Sequence, residues 1–283
     1  MLTMNLALVS EVEGHDPSDV STVAAALQRQ AARDLGPIWD RTATVDAFPR
    51  LEDIPVGYWP MIVETDIGQP GAAGVHMDKD GQPFALITMS DSWSLTASHE
   101  MLEMLVDPFG NRVVPGPSPK QDQGRVEFLV EVSDPCEADE FAYTVNDILV
   151  SDFYTPQYFD PVAAEGTRYD FTGNITEPRQ VLRGGYLSWH DPISNHWWQE
   201  IFFGAQPQFR DIGVFDASAG SLRAWVDAQT DHPGIDQGLD KSSAKLQAAV
   251  AVGGETAEAA SAKAAAWRDQ ITEIKQATQA AQR

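Results

Sequence analysis

The sequence predicts an α+β fold, and three observations lead to this prediction. Several short strand-like segments lie within the first 90 residues, on both sides of one helix-like segment. A second helix-like segment follows between about residues 94 and 106. The composition then changes near residue 242, where Ala, Gln, Lys and Glu become frequent. A mixed sheet with a backing helix, then a second helix, an aromatic-rich region and a helical tail account for this order.

The first predicted elements are strands around one helix. Residues 4–13 are rich in Leu and Val and form the first predicted strand. Asp16 and its neighbours supply a helix start, and apolar residues recur at helical spacing through Leu35, before Gly36-Pro37 ends the predicted helix. Further strands are predicted over 43–47, 58–64 and 84–89, with a short extended piece at 74–77 between two turns.

The second half begins with the helix over 94–106, which carries an apolar stripe and ends near Pro108. Two strands are predicted after it, over 125–132 and 142–150, joined by an acidic turn. Residues 151–216 are predicted to be loop-like and aromatic-rich.

Composition and charge narrow the classes of function. The 283 residues include 19 Lys plus Arg and 42 Asp plus Glu, which gives a formal net charge of −23. Because such a surface repels phosphate backbones and anionic lipids, we expect no nucleic-acid partner and no membrane partner. The same excess suits cation binding, although carboxylates also keep a protein soluble and no single stripe concentrates them here.

A cytoplasmic location is predicted as the default. Cys136 is the single cysteine, so no disulfide forms within the chain and a reducing compartment is favoured. No apolar stretch reaches the roughly 18 to 20 residues that span a bilayer. The first residues lack a basic leader and carry acidic side chains early, unlike a secretory signal.

The segment His99-Glu100-x-x-Glu103 is the main candidate for chemistry. On a helix, His99 and Glu103 lie on one face with their Cβ atoms about 5–6 Å apart, so both side chains can bind one divalent ion. Glu100 lies about 100° around the helix, where it can act as general base on a metal-activated water, as in His-Glu-x-x-His zinc helices. Zinc also accepts carboxylate oxygen, so the second glutamate does not forbid the site. The alternative is an ordinary solvated helix face.

Two segments resemble a known group of proteins. The run from Ser98 to Pro108 is similar to the Ser-His-Glu-x-x-Glu-x-x-x-Asp-Pro signature of uncharacterised zincin-like microbial proteins. The run from Glu131 to Glu137 resembles an Asp-Pro-Cys-Glu segment that accompanies this signature. The resemblance implies a zincin-like fold, in which a mixed sheet carries a backing helix and an active-site helix. In such folds, the strand before the active helix binds peptide along its edge.

A third metal ligand is needed, and the first candidate lies on the same helix. Asp107 is two turns beyond His99, about 12 Å along the axis of a regular helix. It joins the site only if Pro108 breaks the helix early. Otherwise it does not contact the metal, and it orients one of the ligands.

Asp134 is favoured slightly over Asp107 as the third ligand. It follows a predicted strand that can return the chain to the helix. The resemblance points the same way, since similar zincins place an aspartate ligand at a comparable distance. Glu131 and Glu137 are further candidates, and the alternative is that the acidic cluster is a polar turn between strands.

Other candidate residues have two interpretations each. His76 is predicted beside the helix, where it can donate to a developing oxyanion, or it is a structural histidine in a turn. His190 and His196 lie among tryptophans that form either a substrate wall or an aromatic core. We interpret Cys136 as a packing residue, because its acidic neighbours raise the pKa of the thiol.

These patterns favour a zinc-dependent hydrolase that acts on a peptide or protein substrate. His99 and Glu103 would hold the metal with one aspartate, and Glu100 would take the proton from water. A second hypothesis is a non-catalytic protein on the same fold, in which zinc or calcium pins the helix and the tail mediates homo-oligomerisation or assembly. A third is that no metal binds.

The predicted domains follow from these assignments. Residues 1–150 form a zincin-like metal-binding domain, residues 151–238 an aromatic-rich C-terminal subdomain, and residues 239–283 an Ala-rich helical tail. In the tail, Trp267, Ile271 and Ile274 form a short apolar stripe. Such a tail is too poor in apolar residues to fold alone, so it is docked, paired with another chain, or frayed.

Overall fold

The computed structural model describes residues 2–69, 71–216, 218 and 221–230, and also 264–265, 268–269, 271–272, 275–276 and 279–280. The N-terminal part forms a five-stranded mixed sheet from β1 (Met4–Ser10), β2 (Ala43–Ala47), β3 (Tyr58–Glu64), β4 (Gly74–Lys79) and β5 (Gln82–Thr88). The strand order is β2-β1-β3-β5-β4. Neighbouring strands run parallel, except that the edge strand β4 pairs antiparallel with β5. The α+β class predicted from the sequence is confirmed.

The first helix is longer than the sequence predicts. Helix α1 (Pro17–Arg29) begins at Asp16, whose side chain accepts from the Ser18 amide. It continues through a π-helical segment (Gln30–Leu35) into α2 (Gly36–Trp39), so the prediction that Gly36-Pro37 ends it is wrong. Pro37 lies in the first turn of α2, directly after the hydrogen-bond pattern changes from π-helical to α-helical, and this is a position that accepts proline. The helix ends at Asp40, which has a φ of 54°.

A second sheet overturns the prediction that residues 151–216 are loop-like. It consists of β6 (Val113–Pro117), β7 (Arg125–Leu129), β10 (Tyr186–Asp191), β11 (His196–Ile201) and β12 (Gln208–Gly213), all antiparallel, in the order β12-β11-β10-β7-β6. In β10, residues on both faces are buried, so the strand lacks the apolar–polar alternation that reveals a half-buried strand.

Three smaller features also differ from the predictions. The strand predicted over 142–150 is a hairpin of β8 (Tyr143–Val145) and β9 (Ile148–Val150), because Asn146 and Asp147 have positive φ angles and make a tight turn. Strand β6 was not predicted, because prolines argue against a strand. A sheet accepts proline at its edge, and β6 is an edge strand. Helix α4 (Leu222–Gln229) was also missed, although Ser221 caps its N-terminus. Helix α3 (Trp93–Val106) lies within one residue of the prediction.

The five-stranded sheet buries both of its faces. Alternate residues such as Leu6 and Leu8 face a large apolar cluster that includes α1, α3 and residues of the second sheet such as Trp189. This cluster contains residues on both sides of Val150, so the division into domains at this point stays a prediction. Within the described residues, we find no helix with the length and apolar character that crossing a membrane requires.

The opposite face of the sheet contacts the described part of the tail. Val9 and Leu86 belong to a second apolar cluster, which also contains the buried residues Ala264 and Ile271. Lys275 Nζ lies 2.6 Å from Glu64 Oε2, which anchors the tail at the end of β3. Of the three alternatives for the tail, the described residues therefore support docking. The other two residues of the predicted stripe, Trp267 and Ile274, lie outside the described residues.

Candidate metal centre

The helix that carries the candidate motif is buried almost all round. Of the fourteen residues of α3, twelve are buried, including Glu100 and Glu103. The Glu103 side chain has no exposed surface, and the His99 side chain keeps 12%. The alternative of a solvated helix face is therefore wrong, because ionisable groups are rarely buried in this way without partners.

Ser98 fixes the position of α3 next to the motif. Its hydroxyl donates to Gln30 Oε1 at 2.8 Å and accepts from the Ser151 amide at 2.9 Å. Gln30 in turn donates to the Ser151 carbonyl at 2.9 Å. These buried hydrogen bonds join α3 to the π-helical segment and to the end of β9, so His99 projects from a rigid support.

His99, Glu103 and Asp134 form one group whose ligand atoms converge. His99 Nε2 lies 3.4 Å from Glu103 Oε2 and 3.3 Å from Asp134 Oδ1. Tetrahedral zinc with bonds of about 2.0–2.2 Å separates neighbouring donor atoms by roughly 3.3–3.6 Å. Asp134 Oδ1 is buried, and no described residue forms a hydrogen bond with it. The donor types, their spacing and this unsatisfied oxygen all fit a divalent cation.

A second group lies deeper and centres on His76. His76 Nε2 contacts the Asp107 carbonyl at 3.1 Å, and because a carbonyl only accepts, this nitrogen carries a proton. Nδ1 then faces Glu100 Oε2 at 3.5 Å and Glu103 Oε2 at 3.6 Å. Burial alone lowers the pKa of His76, but the two carboxylates outweigh it and raise the pKa. His76 therefore lies between two carboxyl groups, behind Glu100 rather than at an open surface.

Arg223, on α4, is the functional candidate that the sequence analysis missed. Its guanidinium is buried among carboxylates from four positions, with N–O distances of 2.9 Å to Asp134, 3.1 Å to Asp227, 3.4 Å to Glu103 and 3.5 Å to Glu131. The spacing of Arg223 and Asp227, one helical turn apart, was a weak signal in the sequence. Nothing local indicated that this pair would be buried.

Charges in the centre shift the pKa values in opposite directions. Burial lowers the pKa of His99, but Glu103 and Asp134 outweigh it, so the pKa lies well above its usual value. For Glu103, burial raises the pKa, whereas His99 and Arg223 bring it well below the usual range. Burial dominates for Glu131 and raises the pKa of this carboxyl well above its usual range. Glu103 is therefore ionised, as a metal ligand must be.

Asp107 and the remaining candidates lie outside the His99 group. Asp107 Oδ2 accepts from the Arg112 amide at 2.7 Å, so the carboxylate closes the loop after α3. Glu137 lines the adjacent cavity. His190 and His196 belong to the second sheet, where they contact Glu127 at 3.0 Å and Asp211 at 2.8 Å.

The aromatic residues and the cysteine near the second sheet have packing roles. Trp189 has no exposed surface and belongs to the large apolar cluster, and Trp197 belongs to a smaller one. Neither lines the described wall of the cavity beside the His99 group. Cys136 is buried, and burial raises the pKa of its thiol well above the usual value.

A cavity of about 320 Å³ opens beside the centre. His99, Glu100 and Arg223 line it from the helices, and Ala72 and Gly74 line it from the start of β4. A Cβ atom at Gly74 would lie 2.7 Å from Glu100 Oε1, so the strand approaches α3 as closely as only glycine permits. The side chains of His99 and Glu100 therefore both border this cavity.

Comparisons with known proteins add no relative. No protein-family model matches the chain, and neither the curated proteins nor the solved structures give a match.

Proposed function

We propose that this protein is a metal-dependent hydrolase that cleaves peptide bonds in a zincin-like fold. The observation that carries the proposal is the convergence of His99 Nε2 with Glu103 Oε2 and Asp134 Oδ1, at 3.4 and 3.3 Å, beside a cavity. Zinc is the preferred ion because the set combines imidazole with carboxylates, and calcium is the alternative for an oxygen-rich set.

The elements around the centre support the zincin-like arrangement. A mixed sheet, a backing helix α1 and a motif helix α3 follow one another in the order that this fold requires. The Thr88 amide donates to the Ala73 carbonyl at 2.7 Å, so Ala73 faces β5. In an antiparallel pair, the main chain of the next residue, Gly74, then faces the open edge. A peptide can add to this edge as a further strand, next to Glu100.

The chain's own residues have separate tasks in this proposal. When bound, zinc supplies a Lewis acid that lowers the pKa of water and polarises a carbonyl group. Glu100 takes the proton from water on its carboxylate and later returns it to the leaving amine. His76 holds that carboxylate from behind, through the contact of 3.5 Å. Ser133 donates its amide to Glu103 Oε1 at 3.2 Å and orients this ligand.

Elemental analysis of purified protein tests the proposal, with His99→Ala as the variant and His196→Ala as the matched control outside the centre. We expect about one equivalent of zinc in the parent and the control, and none in His99→Ala. A peptidase screen with Glu100→Gln as its negative control then tests the reaction. Protein that holds no metal, although it has never met a chelator, would contradict the proposal.

A structural metal site without catalysis is the second candidate. It is favoured by Arg223, whose guanidinium already contacts two of the three proposed ligands, Glu103 and Asp134. In that case the cation pins α3 to the loop after β7, and the protein binds zinc or calcium but cleaves no peptide.

A further inference from the structure

The cavity wall is more acidic than the metal centre requires. Glu137, Asp139 and Asp227 line it, and none of them belongs to a metal-binding group among the described residues. Among the described residues, the cationic or basic side chains on the same wall are His99 and Arg223. His99 belongs to the proposed metal site, so Arg223 is the remaining cation on the described wall.

Arg223 is already shared among carboxylates and does not neutralise this wall. Its Nη1 atom contacts Asp134 at 2.9 Å and Glu131 at 3.5 Å, and its Nη2 atom contacts Glu103 at 3.4 Å. Its Nε atom lies 3.1 Å from Asp227 Oδ1. One guanidinium is thus shared among four buried carboxyl groups, and Asp227 does not have it to itself.

Asp227 offers a free acceptor to this cavity. Its side chain is only 7% exposed, and its buried Oδ2 atom has no hydrogen-bond partner within the part of the chain that the structure describes. Buried carboxylate oxygens are normally satisfied, so an unsatisfied one at a cavity wall indicates a ligand that supplies a donor. Asp139 Oδ1 is likewise buried without a hydrogen-bond partner at the same wall.

The remaining wall suits an aliphatic chain. Ala72 and Leu95 contribute apolar surface, and the volume of about 320 Å³ is at the small end for ligand pockets. Lysine and arginine side chains combine an apolar stem with a cationic head that donates several hydrogen bonds. An acidic side chain in the same place would lie beside the carboxyl groups of Asp139 and Asp227.

We propose that this cavity is a subsite for a lysine or arginine side chain of the substrate, with Asp227 as the main acceptor and Asp139 as the second. The proposal rests on the proposed function, because the ligand is taken to be the peptide substrate. The binding step itself requires no catalysis, so the two can be tested separately.

The test measures binding to the zinc-loaded Glu100→Gln protein, which removes turnover. The probes are three capped tripeptides, Ala-X-Ala, in which X is lysine, norleucine or glutamate, and calorimetry gives the dissociation constants. We expect the lysine peptide to bind at least about tenfold more tightly than the norleucine peptide, and the glutamate peptide to bind least. Adding Asp227→Asn should abolish the preference, whereas the control Asp122→Asn, at a side chain that is 91% exposed, should preserve it.

Equal binding of the lysine and norleucine peptides to the parent would overturn the subsite, whatever the variants do. Should Asp227→Asn fail to fold, the weaker acceptor is tested by Asp139→Asn, which we expect to reduce the lysine preference severalfold. A lysine preference in a protein that cleaves no peptide would support the subsite and contradict the hydrolase. Cleavage without any charge preference would support the hydrolase and contradict the subsite.

Discussion

Arg223 Nη1 donates to Asp134 Oδ2 at 2.9 Å, although 89 residues separate the two in the sequence. The bond joins α4 to the turn that follows β7. Because the other oxygen of Asp134 faces His99, the guanidinium fixes the orientation of a proposed metal ligand. The same contact makes α4 a structural part of the proposed metal centre.

Replacing Arg223 with methionine should destabilise the protein and weaken metal binding together. The change leaves buried carboxylates without their cation, and we expect a loss of about 3–5 kcal/mol in the free energy of unfolding. Zinc affinity should fall about 10–100-fold, since Asp134 loses its orientation. Urea unfolding and competition with a zinc chelator measure the two effects. Arg125→Met, at an exposed arginine, is the control, and equal stability of the two variants would refute the role of Arg223.

Replacing Glu100 with glutamine should separate catalysis from metal binding. Glutamine keeps the shape of the side chain but cannot take a proton, so peptidase activity should fall about 10²–10⁴-fold. Zinc content should stay near that of the parent. The matched control is Glu140→Gln at an exposed position. Activity that survives Glu100→Gln would show that another group is the base.

Replacing Gly74 with alanine should displace the Glu100 carboxylate, because the added methyl group on β4 points towards it. Its Cβ would lie 2.6 Å from Thr96 Cγ2 and 2.7 Å from Glu100 Oε1, so either the side chain or the strand must move. Misplacement of a catalytic group on this scale lowers kcat by about tenfold to a hundredfold. Gly124→Ala is the control, because nothing lies within 4 Å of its added Cβ. Unchanged kcat in Gly74→Ala would mean that the position of Glu100 is not critical.

A chelator should lower the thermal stability of the metal-loaded protein. A ligand at about a thousand times its dissociation constant stabilises the folded state by about 4 kcal/mol, and this contribution disappears when the ion is removed. Differential scanning calorimetry with and without EDTA measures the change in Tm. The His99→Ala variant should show no response to EDTA, and a response equal to that of the parent would place the ion elsewhere.

The buried pair Asp152 and Asp170 should make stability depend on pH. Burial and hydrogen bonding with Asp170 raise the pKa of Asp152 to about 8, whereas an aspartate in an unfolded chain has a pKa of about 3.9. The folded state therefore keeps a proton that the unfolded chain releases. The stability from this pair is complete below about pH 4 and is lost as the pH rises towards 8.

Urea unfolding at pH 5 and at pH 8.5 measures this loss. Asp152→Asn keeps a hydrogen-bonding side chain that does not titrate, so its free energy of unfolding should change less between the two pH values. Asp122→Asn serves as the exposed control. An unchanged pH dependence in Asp152→Asn would assign the effect to other groups, such as Glu200, whose pKa burial raises to about 7.

Sequence analysis named His99, Glu103 and Asp134 as candidate residues, but it missed Arg223, which is distant in the sequence. The pairing of His99 with Glu103 depends only on helical spacing. Asp134 could be named as a candidate from the sequence, because a single strand leads the chain back to the helix. Arg223 contacts Glu103 across 120 residues, and no periodicity marks such a contact in advance. Buried strands such as β10 were missed for a related reason, since residues that are buried on both faces carry no alternating pattern.

Docking of the tail on the central sheet has a consequence for synthesis. The face that carries Val9 and Leu86 is covered by Ala264 and Ile271, which leave the ribosome more than 170 residues after β5. Until then, an apolar sheet face is exposed on a nascent chain whose other face can already pack against α1 and α3. Such a surface is prone to aggregation until residues 264–271 have been synthesised, unless a chaperone covers the sheet in the meantime.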